Sequence, residues 1–482
     1  LAVDIARSSD SKPLQQIALA TGATLLAYST YFLQRDPLIV LIAATLPLAF
    51  VAVLQRPAIW CLLFLMIAFF RLTDAYPFLA PARLLLLFGL ALFASLVWHT
   101  VITRSETPYW SVELTLFVLI FIQLTLGVIF AADRPKSFDA WLGGFARIAP
   151  AIIAICWAIR RTGDFRAVTA CFISGGVLIS LVAIYNRVNG IGLVEGTRVA
   201  IGREIGSNLG DPNDLAFILL PSLAVALSAA LEKIRPIWRW MSLASAAIIL
   251  LAIGFTQSRG GLLGAVAIFG IVGARFIRSR AALLVVCSVA ALAFFNAMGI
   301  AGRLSGGSAE LATRGIDESS ELRFIAWRAG VNMALGRPLT GVGLANFSGS
   351  FYTYTSYWPG RAMAPHSVWF QVLGESGLLG FALYIAMLVT VARTAYRNLI
   401  RTTVLDAPPV MHALARALLG ALAAFCAAGT FLSQAHGWPI FLLLALTVAI
   451  KQYLDDLERE RTVTPVSAAS TDRSVNAMRG AN

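Results

Sequence analysis

The sequence predicts an all-α polytopic integral membrane protein with about 12–14 transmembrane helices and one long periplasmic loop containing short helices. Three observations carry that expectation. Hydrophobic residues make up 58% of the 482 and charged residues 13%, and the mean hydropathy of +0.77 is more apolar than a soluble core requires. Apolar runs recur along nearly the whole length, many near the ~20 residues that cross ~30 Å of hydrocarbon as a helix. Basic residues gather in a few short connections that fall on one side when the spans are counted.

Taken in order, the apolar runs place helices at 15–33, 37–54, 57–71, 83–102, 111–132, 140–159, 167–187, 213–231, 238–257, 261–278, 281–299, 368–392, 413–433 and 438–453. The polar segment 1–16 reads as a cytoplasmic N-terminal stretch. No small-residue cleavage site follows it, so the first helix reads as retained and not as a signal peptide. Residues 17–453 then form one transmembrane domain, with a loop at 300–366 inside it. The remainder, 454–482, reads as a cytoplasmic tail, charged at first and then rich in Ser, Thr and Ala, with order lost beyond about Val463.

The net charge of +13 does not imply nucleic acid, because Lys and Arg are expected in cytoplasmic loops and no basic domain interleaved with aromatics is present. Four clusters, Arg160/Arg161/Arg166, Lys233/Arg235/Arg239, Arg275/Arg278/Arg280 and Arg393/Arg397/Arg401, share one side with both termini. The positive-inside rule makes that side cytoplasmic. The five cysteines all lie in apolar runs without paired spacing, which excludes a zinc or disulfide framework. There is no phosphate-binding loop of the Gly-x-x-x-x-Gly-Lys type and no His-Glu-x-x-His. The spans carry hardly any Asp or Glu apart from Glu375, which disfavours a proton- or ion-coupled pump.

The opposite side receives the distinctive segments. Thr197-Arg198 leads through Arg203 to Asp211-Pro-Asn213-Asp-Leu-Ala. Its arginines offer forked donors suited to phosphate oxygens, on the side where topology does not ask for them, while Asp211 and Asn213 read more simply as caps of the next helix. Ser258-Arg259-Gly-Gly sits at a helix junction. There a guanidinium and backbone amides can meet an anion, or the arginine can simply snorkel.

The long loop should carry a helix over Glu321–Leu335, ended by Gly336 and Pro338. It adds Glu321-Leu-Arg323 with Trp327, then Pro338-Leu-Thr-Gly341-Val-Gly343-Leu-Ala-Asn346-Phe. The run Phe351-Tyr-Thr-Tyr354-Thr-Ser-Tyr357-Trp358 follows, and it suits either sugar stacking or a membrane interface. His366 in Pro365-His366-Ser367 can act as a general base near neutral pH, although a lone histidine is more often structural. Glu375 lies nine positions further on, on the opposite face of a continuous helix, so a His–Glu dyad is not supported.

As an ordered set from Arg198 to Gly380, these motifs resemble the O-antigen ligase/polymerase superfamily of bacterial membrane glycosyltransferases. The Asp-Pro-Asn-Asp form is most similar to members found with exopolysaccharide and exosortase-type gene sets. Ser367 departs from the asparagine that many members carry after the histidine. The resemblance implies a periplasmic active site in the inner membrane and transfer of a glycan from an undecaprenyl-diphosphate-linked donor. The acceptor is a glycan, for a polymerase, or a lipid core, for a ligase, and the reaction needs neither cofactor nor metal. It implies Arg259 with His366 as catalytic groups, Arg198, Arg203, Arg259 and Arg323 on the diphosphate, and Glu375, Asn213 and Tyr354 in support. Membrane lipids surround such a protein, and polysaccharide chain-length or export proteins are the partners it admits. A transporter or flippase for lipid-linked oligosaccharide is the rival reading. It needs a polar path through the spans, which the one-sided clustering argues against. A structural subunit of an assembly complex is the third.

Overall fold

The computed structural model describes residues 55–104, 107–232, 235–277, 318–356 and 362–479, with residue 24 and a few isolated positions between 279 and 292. The predicted helices 15–33 and 37–54, most of 281–299, and Lys233, Arg278, Arg280, Tyr357 and Trp358 lie outside the described residues.

All regular structure among the described residues is helical, apart from one isolated bridge between Val194 and Arg198. In chain order the principal helices are α1 Pro57–Ala68, α2 Leu84–Ile102, α3 Val112–Ile129, α4 Arg134–Ala158, α5 Thr162–Asn189, α6 Pro212–Ala230 and α7 Pro236–Phe255. There follow α8 Arg259–Gly273, α9 Glu318–Gly336, α10 Phe347–Tyr354, α11 Val368–Val404, α12 Pro409–Gly429 and α13 Trp438–Arg479. Among the described residues eight helices, α2 to α7 with α11 and α12, are long and apolar enough to cross a bilayer.

α3 shows why lipid is the solvent. Leu114, Phe117, Ile120 and Leu124 are buried, while Leu119, Ile122, Leu126 and Ile129 are exposed at the same three- and four-residue spacing. A helix apolar on both faces is stable only where its outer face meets hydrocarbon. α13 is the opposite case, with every residue from Pro439 to Ile450 buried, so protein surrounds it.

By packing, the chain divides into two units, Leu1–Phe64 with Leu85–Pro108, and Leu65–Leu84 with Tyr109–Asn482. In the first, Trp60 and Phe88 place their rings 6.1 Å apart. The second holds the motifs. One of its ends gathers ion pairs: Arg401 with Asp455 and Glu458, each at 2.7 Å, Arg416 with Glu232 at 2.7 Å, and Lys451 with Glu113 at 3.2 Å. The opposite end carries the connections 130–133, 194–211 and 256–258, the stretches 337–356 and 362–366, and the turn 430–437.

Several boundaries differ from expectation. α4 starts at Arg134 because Asp133 accepts the Lys136 N–H and Pro135 suits the first turn. α13 continues to Arg479, past Val463, although residues 458–462 are exposed and packing ends near Leu457. Glu375 is not alone among acids in the spans. Glu113 and Asp214 occupy the first turns of α3 and α6, where an acid suits the helix N-terminus.

The largest difference is in α11, which is not one continuous helix. Gly377 has φ 73° and ψ −172°, a glycine-only conformation that breaks it. The carbonyls that the break strands are used elsewhere. Gly374 O accepts from Val342 N–H at 2.9 Å, Glu375 O accepts from Gly343 N–H at 3.0 Å, and Leu379 N–H donates to Pro338 O at 3.1 Å. Gln123 from α3 donates to the carbonyls of Ser376 and Leu339, at 2.8 and 3.1 Å. Gly341 (φ 62°) and Gly377 face each other so closely that a Cβ on Gly341 would meet Gly374 O at 2.5 Å, and one on Gly377 would meet Pro338 O at 2.6 Å. The two glycine-rich motifs of the sequence are thus two halves of one main-chain junction.

Candidate active site

Arg259 is held by a tight turn. α7 ends at Phe255, Gln257 takes φ 50°, and Ser258 caps α8 by accepting the Gly261 N–H at 3.1 Å. Gly260 and Gly261 let α8 seat against α12 and α6. A Cβ on Gly260 would meet Ala428 O at 3.4 Å, and one on Gly261 would meet the Ala216 side chain at 2.6 Å. Arg259 is left at the first position of α8, exposed, and among the described residues its guanidinium has no hydrogen-bonding or ionic partner. The positive end of the helix dipole lies beside it.

The arginines of the 194–211 segment differ from each other. Arg198 is 7% exposed, and its guanidinium donates to Thr256 O at 3.1 Å and to Asn213 Oδ1 at 2.8 Å. It fastens the segment to the end of α7 and the start of α6, and Asn213 serves it. Arg203 is exposed without such partners among the described residues. Its backbone packs on Gly210, where a Cβ would meet Arg203 Cα at 2.8 Å. That contact sets Arg203 next to Asp211, which caps α6 through the Asn213 N–H at 2.7 Å.

His366 lies just before α11 with φ 43°, an uncommon left-handed conformation for a residue with a side chain. Its neighbours hold it there. Trp327 of α9 donates to Pro365 O at 3.0 Å and stacks on Phe370 with ring centroids 4.9 Å apart. The residue is exposed to solvent. Partial burial, with the Arg323 guanidinium, holds its pKa below the ordinary histidine value, while the Asp211 carboxylate pulls the other way. Arg323 itself lies over the Phe431 ring, 5.9 Å from its centre, and Phe431 also borders Gly260. Arg323 and Asp211 therefore both act on His366, and Gly260, the residue after Arg259, borders the same Phe431 just past the end of α12. Ser367 is buried and its hydroxyl has no partner, at the position where the family pattern has asparagine.

Glu375 belongs to a neighbouring cluster. It is 3% exposed, 3.4 Å from His436 Nδ1, and accepts from Gln371 at 3.4 Å. Tyr354 supports the loop from within. Its ring packs on Gly336 and its carbonyl accepts from Asn332 at 2.9 Å, in the small core around Met333, Phe347 and Phe351. Gly336 is nine residues along α9 from Trp327, about 13 Å away along the axis.

The sequence reading missed four contributors: the charge of Asp211 on His366, Asp214 with its hydrogen bond to Gln434, His436, and Phe431. The Asp211/Asp214 spacing of three placed both acids on one face at a helix start, which was the available signal.

Comparison with known proteins bears on this end of the molecule. Residues 244–385 match the family model described as O-antigen ligase. The match contains Arg259, Arg323, His366, Glu375 and the Gly341/Gly377 junction, while Arg198, Arg203 and Asn213 precede it. A search of curated proteins finds no match. Over residues 244–385, the part of the chain that carries this end's central motifs, the protein is similar to the O-antigen ligase family.

Proposed function

We propose that the protein transfers a glycan from an undecaprenyl-diphosphate donor to a glycan or lipid-core acceptor at the periplasmic face of the inner membrane, without a metal. The observation that carries this reading is the guanidinium of Arg259, unengaged among the described residues, at the N-terminus of a helix whose next residue borders the Phe431 ring under Arg323. Arginines at the other end of the same unit, such as Arg401 and Arg416, are paired with carboxylates. A guanidinium left without a counter-ion is suited to an anionic ligand, and a diphosphate offers the matching oxygens.

In this mechanism Arg259, Arg203 and Arg323 hold the diphosphate, and Arg198 acts through Asn213 to position the segment that carries Arg203. His366 takes the proton of the acceptor hydroxyl. The acceptor oxygen forms a bond to the anomeric carbon as the bond to the diphosphate oxygen breaks, with inversion. The departing electron pair leaves with the diphosphate, where the arginines stabilise it. A neutral imidazole is the form this step requires, and the lowered His366 pKa favours it.

The test uses purified protein with a lipid-diphosphate donor, with and without chelator. Arg259→Ala is expected to lower turnover by about 10²–10³-fold, the usual loss for one transition-state donor. His366→Ala should lower it by about 10²–10⁴-fold. Arg203→Ala should lose activity at unchanged thermal stability, and Arg198→Ala should lose both. Full activity in Arg259→Ala or His366→Ala removes the role given to that residue, and loss of activity with chelator overturns metal independence. In a deletion strain, single unextended repeat units indicate a polymerase, and full-length glycan stranded on its carrier indicates a ligase. Accumulation confined to the cytoplasmic leaflet supports a flippase instead.

A further inference from the structure

The mechanism above leaves Glu375 and His436 unused, although both are buried acid–base groups at the same end of the bundle. They line a cavity of about 160 Å³ together with Gln371, Ser433, Gln434 and the edge of Phe145. The polar atoms around it are incompletely used. Ser433 Oγ and His436 Nδ1 are both buried without a hydrogen-bond partner. The His436 side chain is 8% exposed and its Nδ1 stands 3.4 Å from Glu375 Oε2. Burying polar atoms unpaired is costly, and such atoms in a native site commonly await a ligand or water.

The chemistry of the wall narrows the ligand. No lysine or arginine lines the cavity, so it is unsuited to phosphate. One carboxylate, one imidazole, two carboxamides and a hydroxyl offer a mixture of acceptors and donors, set against an aromatic edge and the apolar Leu344. That combination suits a neutral polyhydroxyl ring. His436 stands edge to face with Phe145, at 85° and 6.4 Å, which fixes the imidazole plane. Gln371 is fixed by accepting the Ala435 N–H at 3.1 Å while it donates to Glu375.

The cavity also adjoins the reacting groups. Gln434 lines it and hydrogen-bonds Asp214, one turn along α6 from Asp211, whose charge acts on His366. Gly437 leaves room for that amide, since a Cβ there would meet Gln434 Oε1 at 2.7 Å. A sugar in the cavity would thus be linked through Gln434, Asp214 and the first turn of α6 to the surroundings of His366.

We infer that the Glu375–His436 cavity is a carbohydrate subsite, binding the hydroxyls of one sugar residue of the transferred or receiving glycan. The inference rests on the glycosyltransferase reading for its placement, and its test separates the two. Two probes are bound to the full-length protein in detergent: oligosaccharide released by mild acid from the lipid-linked pool of the producing strain, and sugar-free undecaprenyl diphosphate. Glu375→Gln and His436→Ala are expected to weaken oligosaccharide binding at least tenfold and to leave undecaprenyl diphosphate binding unchanged. Ser433→Leu, which fills the cavity and leaves Glu375 and His436 in place, should do the same and covers the case in which the Glu375 variant does not fold.

In transfer assays the variants should raise KM with little change in kcat. A rise confined to the donor assigns the subsite to the donor glycan, and one confined to the acceptor assigns it to the acceptor glycan. Unchanged oligosaccharide binding and unchanged KM in folded Ser433→Leu and His436→Ala overturn the subsite. Wild-type protein that binds oligosaccharide in a cavity-dependent manner and catalyses no transfer overturns the glycosyltransferase reading while leaving the subsite standing.

Discussion

Removing one charge beside His366 while leaving the imidazole itself in place tests whether its environment sets the pH at which it works. Its pKa is held down by partial burial and by Arg323, and raised by Asp211. A base active in its neutral form loses activity as pH falls through that pKa, so the acidic limb of the rate profile is expected below the ordinary histidine value of about 6.5. Arg323→Gln removes a cation and should move the limb to higher pH. Asp211→Asn removes an anion and should move it lower. Rate profiles of the two variants that shift together, or not at all, would disconnect these charges from the base. The sequence put both residues within view, Arg323 as an anion ligand and Asp211 as a helix cap. Their convergence on His366 joins residues 43 to 155 positions apart along the chain, which no local pattern encodes.

At the scale of elements, the break in α11 is the least legible feature and the most sharply testable. A helix interrupted by one glycine keeps its apolar composition, so hydropathy reads 368–392 as a single span. It cannot register that the Gly374 and Glu375 carbonyls are satisfied from another segment. Gly377→Ala places a Cβ in a conformation that costs roughly 1–3 kcal/mol for a non-glycine residue, before its clash with Pro338 O. It should lower the thermal stability of the solubilised protein. Gly349→Ala serves as the control, because its Cβ would meet only the Lys136 amine at 3.8 Å. Equal melting temperatures for the two variants would show that the junction is not tight. The helices themselves were readable because each needs only apolar length. Their ends moved where a local cap decided, as Asp133 does for α4.

For the whole molecule, the expectation that the sequence carries furthest is sidedness. The end rich in paired charge holds Arg401, Arg416 and Asp455, and the other holds the exposed Arg203 and Arg259. The positive-inside rule assigns the first to the cytoplasm. Single cysteines at exposed Arg203 and exposed Arg459 should react oppositely with a membrane-impermeant thiol reagent in intact spheroplasts, measured against the unsubstituted chain. Arg203→Cys should label at once and Arg459→Cys only after permeabilisation. The reverse order would move the proposed chemistry to the side of nucleotide sugars and overturn the use of a periplasmic donor.

The main-chain bonds from Val342 to Gly374 and from Gly343 to Glu375 also act as the drawstring of a purse, holding together the two edges of the stretch between them. Between the drawn edges lie α10, its aromatic residues, and the approach to His366. Doubling the length of a closed loop costs only about 0.6 kcal/mol in chain entropy. Chain added just after α10 should therefore cost little while the hem stays in register, and on the proposed function it should change which acceptor fits. Insertion of a Gly-Ser pair after Ser356 is accordingly expected to leave the melting temperature nearly unchanged and to alter KM for the acceptor. A collapse in stability would show that the enclosed stretch is itself part of the fastening.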